Sequence, residues 1–185
     1  MSILPILKFP DPRLNEVSKP VEDFGEELKA LASDMAETMI AAPGVGLAAP
    51  QVGKLLRLIV IDQSDPADEN RTPSPLALVN PEIVHAEGKQ VYKEGCLSVE
   101  DLQSEVTRHM TVEVEAEDLD GNLFTVTAEG HKAVVLQHEI DHLDGVLFIE
   151  RISPLKRSMY VKSLRKRRNK DDKDGKAGKG GRNAR

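Results

Sequence analysis

The residues best suited to chemistry lie between positions 137 and 142, where the chain reads Gln137-His138-Glu139-Ile140-Asp141-His142. Two histidines four apart on a helix stand one turn above each other, so both imidazoles reach a single metal ion. Glu139 is turned by about 100° around the axis from His138. Its carboxylate therefore reaches a water at the metal without becoming a ligand, as metal-assisted hydrolysis requires. The helical wheel shows what surrounds them: Ala133, Leu136, Ile140 and Leu143 share one side, and Val134, Val135, His138 and His142, with His131, share the other. A helix apolar on both sides is enclosed on both, and two enclosed imidazoles are costly unless something binds them.

Two histidines leave the ion short of protein ligands, since a catalytic site usually has three and keeps one position open. No histidine follows His142, which leaves Glu150 as a downstream candidate. Upstream, Glu94-Gly95-Cys96-Leu97-Ser98 carries the only cysteine, Cys96, on a glycine turn. Its thiolate would complete a donor set soft enough for Fe(II), Zn(II), Co(II) or Ni(II).

These groups need a scaffold. Apolar positions at Leu28, Leu31, Met35 and Met39 predict a helix over 26–41. The Pro/Gly-rich stretch 43–53 reads as a loop with constrained turns. Strands are predicted over 55–61 and 76–84, the second broken at Asn80-Pro81, with a surface loop over 64–75 between them. Val112, Val114 and Ala116 alternate with Glu113, Glu115 and Glu117, the pattern of a half-buried antiparallel strand. Asp120-Gly121 turns it into a partner over 123–128. The metal-binding helix follows over 131–143, capped by Gly145, and Ser153-Pro154 opens a last helix. The fold expected is α+β, with antiparallel strands surrounding a central metal-binding helix and further helices at the N- and C-terminal ends.

Composition narrows the setting. The chain has 185 residues, no Trp and one Cys, which rules out an internal disulfide and fits a reducing, cytoplasmic location. The first ten residues are too Pro-broken for a signal peptide, and no window approaches the roughly 20 apolar residues of a membrane helix. The net charge of −6 conceals an asymmetry: residues 156–185 hold 13 Lys/Arg against 3 Asp, so the rest of the chain carries the acidic excess. An acidic body with a basic end fits a polyanionic partner such as ribosomal RNA, or simply a solvated tail. The expected organisation is a catalytic domain over 1–155, a basic helical extension over 156–170 and a low-complexity, disordered tail over 171–185.

Three segments, Gly44-Val45-Gly46-Leu47-Ala48-Ala49-Pro50-Gln51, Glu94-Gly95-Cys96-Leu97-Ser98 and Gln137-His138-Glu139-Ile140-Asp141-His142, resemble the signature motifs of peptide deformylases in order and spacing. The likeness extends to about Ser153-Pro154-Leu155-Lys156. It implies hydrolysis of the N-formyl group from the formyl-methionine that starts new proteins, with formate released. It also implies that Cys96, His138 and His142 hold one divalent ion, natively Fe(II) and replaceable by Zn, Ni or Co. Glu139 would take a proton from water and return it to the leaving amine. The Gln51 side chain and the Leu97 backbone N–H would steady charge on the formyl oxygen. Gly46 lets an extended substrate backbone come close, Val134 and Val135 are walls for the methionine side chain, and Glu94 stands near the substrate's amino end. By the same resemblance the partners are nascent chains and, through the basic end, the ribosome. The chain is read as a monomer.

The resemblance has gaps. His131 stands where a large apolar residue is usual and would make the methionine pocket more polar. Val99-Glu100 replaces a common Pro, and Gln103 stands where some members carry an Arg for the peptide. His85 and His109 are read as surface residues without a role. Two other functions compete: a metallopeptidase using the same helix, which would cleave unformylated peptides, and a non-catalytic ribosome-associated module using the basic end.

Overall fold

The computed structural model describes residues 2–64, 68 and 71–177, with side chains as far as residue 167. Its elements are α1 (Glu26–Ala41), β1 (Gly46–Ala48), β2 (Leu58–Asp62), β3 (Pro75–Glu87), β4 (Gln90–Cys96), β5 (Val99–Arg108), β6 (Thr111–Glu117), β7 (Leu123–Glu129), α2 (Gly130–Leu143) and α3 (Pro154–Ala177). Five strands pair antiparallel in the order β1-β2-β3-β6-β7, and β4 and β5 form a separate antiparallel ribbon. The α+β reading is correct. The chain divides into two compact units, Met1–Arg151 and Ile152–Arg185.

Successive strand residues point to opposite faces of a sheet, and both faces here are apolar where the sheet is covered. In β2, Ile59 and Ile61 join Ala48, Leu78, Val112 and Val114 beneath Ala133, Leu136, Ile140 and Leu143 of α2. Leu58 and Val60 turn the other way, with Leu47 and Val79, to meet Leu28, Ala32, Met35 and Met39 of α1. That double burial explains why β2 reads as a continuous run, Leu-Ile-Val-Ile, and β6 as an alternation. In α2 every residue from Ala133 to Leu143 is buried, as an apolar surface on both sides demanded.

The break expected at Asn80-Pro81 is a bulge: β3 continues through it to Glu87, and its register against β6 shifts between Val79 and Glu82. Asn80 adopts a φ of 50°, a conformation that its short polar side chain tolerates. That side chain accepts from the Val21 N–H at 2.8 Å and donates to the Val21 carbonyl at 2.9 Å, so the irregular backbone is fully tied down.

Several elements differ from expectation, and the strand expected over 55–61 begins only at Leu58. The 43–53 stretch is not all loop, because Gly46–Ala48 pairs with Ile59–Ile61 and Ala49–Val52 forms a 3-10 turn. The β4–β5 ribbon was not anticipated. The last helix, opened by the Lys156 N–H bonding to Ser153 Oγ, runs to Ala177, and residues 178–185 of the expected tail lie outside the described residues. So do 65–67, 69 and 70 of the loop after β2, whose ends are fixed by Asp62 accepting from the N–H groups of Ser64 and Ser74. Among the described residues, no helix is long and apolar enough to cross a membrane.

Candidate metal centre

Helix α2 packs on one face of the five-stranded sheet and also touches β4 of the ribbon. Gln137 locks the two together: it accepts from the His109 N–H at 3.0 Å and donates to the His109 carbonyl at 3.0 Å. Cys96 closes β4, at the one place where that ribbon departs from regular register. The outcome is a three-residue group, Cys96, His138 and His142, whose candidate ligand atoms all lie within 4.8 Å of one another. Cys96 Sγ is 3.2 Å from His142 Nε2, a spacing that suits two donors on one tetrahedral ion with bonds of about 2.0–2.3 Å. Glu150, the alternative third ligand, is exposed and faces Asn15 instead.

The surroundings favour a cation at this point. Burial by itself would pull the His138 pKa down, yet the adjacent Cys96 and Glu94 push it well above the ordinary histidine value. For His142 burial wins, reinforced by the charges of His138 and Arg108, and its pKa falls well below normal. A metal takes its imidazole ligands in the neutral form. The donor set, its convergence and its anionic neighbours fit one divalent ion.

Glu94 explains the orientation of His138. Its Oε2 lies 2.8 Å from His138 Nδ1, which turns Nε2 toward Cys96 and His142. Arg108 in turn donates from Nε to Glu94 Oε1 at 2.7 Å and from Nη2 to Oε2 at 3.0 Å. Burial would raise the Glu94 carboxyl, but the bonds from His138 and Arg108 bring it down to about 2. The third nitrogen of Arg108 donates to Asp141 Oδ2 at 2.6 Å, and Asp141 also receives Arg151 on both oxygens. The network Glu94–Arg108–Asp141–Arg151 was missed in the sequence, although Asp141 stands inside the histidine motif. Glu94 was expected beside the substrate's amino end. It lines the cleft, with its carboxylate bonded to His138 and Arg108 and only 3% of its side chain exposed.

The remaining groups line one cleft of about 1130 Å³. Glu139 faces it, with Oε2 buried and without a hydrogen-bond partner among the described residues. Burial, partly offset by the charge on His138, pushes its pKa up to about 7. Gly46 lies against it: a Cβ built there would meet Cγ and Cδ of Glu139 at 2.8 Å. Gln51 accepts from the Ala48 N–H at 2.8 Å, which aims Nε2 at Ser98 Oγ, 3.1 Å away, and at Cys96 Sγ, 3.6 Å away. Leu97 is beside them, its carbonyl held by Lys8 Nζ at 2.7 Å. Val134, Val135 and His131 complete the wall along α2. Gln103 also lines the cleft, whereas His85 and His109 are exposed and away from it.

Comparison with known proteins agrees with this geometry. The family model for polypeptide deformylase matches residues 3–158. A peptide deformylase of Mesorhizobium japonicum is 53% identical over 167 residues, spanning 90% of this chain and 93% of that protein. The crystal structure of a peptide deformylase from Legionella pneumophila superposes with a TM-score of 0.82 at 46% identity, covering 92% of this chain and 98% of that one. A peptide deformylase from Ehrlichia chaffeensis, in complex with actinonin, gives 0.83 at 38% identity, over 90% and 98% of the two chains. These matches do not favour the metallopeptidase reading of the same helix. The chain belongs to the polypeptide deformylase family, metal-dependent hydrolases that remove the N-formyl group from nascent peptides.

Proposed function

We propose that Cys96, His138 and His142 hold a single Fe(II) ion, replaceable by Zn, Ni or Co, and that Glu139 is the proton carrier of the deformylation. The observation that carries this is the convergence of the three ligand atoms beside a buried carboxylate that has no hydrogen-bond partner among the described residues. When bound, the ion supplies Lewis acidity and lowers the pKa of water from about 15.7 toward 7. Glu139 Oε2 accepts the proton that water gives up and delivers it to the nitrogen leaving the formyl group. A resting pKa near neutrality suits both halves of that exchange. Gln51 Nε2 and the Leu97 N–H donate to the formyl oxygen as it gains charge, and the Ala48 N–H keeps the Gln51 amide from flipping. Gly46 packs directly against the Glu139 side chain, so its missing Cβ makes room for the carboxylate. Val134 and Val135 line the pocket for the first side chain.

Formate release from a formyl-Met tripeptide, by protein kept anaerobic with Fe(II) or loaded with Ni(II), tests the assignment beside Glu139→Gln. Turnover should fall by about 10²–10⁴ in the variant while metal stays bound. A variant that turns over normally would remove Glu139 from the mechanism. Anaerobic Fe(II) protein outperforming Zn protein would support Fe(II) as the native ion.

The exposed Lys162, Arg165 and Lys166 of α3 make a basic surface for ribosomal RNA, in keeping with a cytoplasmic enzyme that meets chains as they emerge. Reversing these three charges in the full chain should abolish salt-sensitive co-sedimentation with ribosomes.

A further inference from the structure

Along α2 the cleft has a far end that the deformylation steps leave unused. His131 lies seven residues before His138, about 10.5 Å along the helix axis, with Val134 and Val135 on the intervening turn. His131 and the two valines line the same cleft as His138 and Glu139. The wall at this end is polar. The His131 ring rests on Tyr92, with centroids 5.1 Å apart and planes tilted by 32°. His131, Val45 and Val135 also line an adjoining cavity of about 290 Å³ whose charged groups are Arg71 and Lys132 with Asp62 and Glu129. Arg71 Nη1 is buried and has no hydrogen-bond partner among the described residues, where it pairs with Asp62 at 3.6 Å. Burial and the neighbouring Arg71 charge both push the His131 pKa down, so the ring is neutral and offers one N–H and one bare nitrogen.

A thioether gives such a wall only a weak acceptor. Its oxidised form gives more, because methionine sulfoxide carries a strong acceptor oxygen on the same carbon skeleton. We propose that His131 is a specificity-determining residue that lets this enzyme deformylate chains beginning with formyl-methionine sulfoxide as well as formyl-methionine. The imidazole N–H donates to the sulfoxide oxygen. An all-apolar wall would leave that oxygen buried and unpaired, and would reject it. The inference rests on the reading that the first side chain lies along Val134 and Val135.

The test compares kcat/KM for two tripeptides, formyl-Met-Ala-Ser and its sulfoxide, on one preparation of Ni(II)-loaded enzyme. Their ratio is independent of the fraction of protein that is folded and active. His131→Leu should lower the sulfoxide-to-thioether ratio about tenfold, the worth of one neutral hydrogen bond. His131→Asn, which keeps a donor, should recover most of it. A ratio that changes less than about twofold in His131→Leu, well under one hydrogen bond, overturns the proposal. Val134→Phe separates the two levels of the argument. If it depresses turnover of both peptides while His131→Leu leaves the ratio alone, the pocket stands and His131 is not its selector. If it affects neither peptide, the first side chain lies elsewhere and both readings fall.

Discussion

Gly46 and Glu139 compete for the same space: a Cβ on Gly46 would overlap the Glu139 side chain, with Cγ and Cδ at 2.8 Å. The glycine is therefore required by a protein side chain as well as by any substrate that passes it. Gly46 sits on a strand and Glu139 on a helix, and the pairing of Gly46 with Ile61 leaves β1 no room to retreat. In Gly46→Ala the carboxylate is the part that moves. A misplacement of about 1 Å in a proton-transfer group costs on the order of 100-fold in rate. The variant should bind metal normally and show that loss in kcat, with KM a secondary effect. Unchanged kcat would mean that Glu139 has other productive positions.

The ion pairs behind His138 predict a different phenotype. Glu94→Gln removes the anion facing His138 Nδ1 and leaves Arg108 with Asp141 alone. Loss of such an outer partner typically weakens metal binding by about 10–100-fold. Arg108→Met strands the Glu94 carboxylate in a site where 3% of its side chain is exposed, and breaking a buried pair costs about 3–5 kcal/mol. Competition with a chelator should therefore detect the first variant, and denaturant unfolding the second. Metal retention equal to wild type in Glu94→Gln would show that the negative charge of Glu94 is not what tunes His138 as a ligand.

Much of this was legible because the relevant signals are local. α1 appears where the periodicity of Leu28, Leu31, Met35 and Met39 places it, and β6 follows its alternating glutamates. The β4–β5 ribbon was hidden by its own function. Its inward positions include Ser104 and Arg108, both buried, while Val91 and Tyr92 are exposed, so polarity and burial are inverted. A polar residue faces inward there because it must meet Glu94 and Asp141. β1 was concealed in another way: three residues among glycines and prolines have no strand signal and depend on β2 for pairing. The Arg108 network joins residues 94, 108, 141 and 151, and only the folded chain brings them together.

Asp62 gives a pH-dependent prediction away from the metal. Burial would raise its pKa, but the N–H groups of Ser74 and Ser64, then the Ser64 hydroxyl and Arg71, outweigh burial and hold it below the usual value. A depressed carboxyl contributes stability that is fully present above its unfolded pKa, near 3.9, and lost as pH falls through the lower folded value. In metal-free protein, Asp62→Ala should cost about 2 kcal/mol at neutral pH, the range for hydrogen bonds to a charged group. Below about pH 4 the gap between variant and wild type should begin to shrink, closing once pH is under the lower folded value. Urea unfolding at several pH values measures both, and a gap constant with pH would show that the ionised form is not what ties the loop.

Gln51 separates holding the site from stabilising the reaction. Its Oε1 is occupied by the Ala48 N–H, so Glu in its place keeps that bond and the same shape. What Gln51→Glu removes is the pair of donors on Nε2, one directed at Ser98 Oγ and the other near Cys96 Sγ. Residues 7–9 brace the same region from outside, the Leu7 N–H on the Gln51 carbonyl and the Phe9 N–H on the Ser98 carbonyl, so the backbone should stay in place. Deleting one donor to a developing oxyanion costs about 10²–10³ in kcat. KM should change far less, because the ground-state formyl oxygen carries little charge. A rise in KM with kcat preserved would instead make Gln51 a substrate-binding group whose contribution is spent before the barrier.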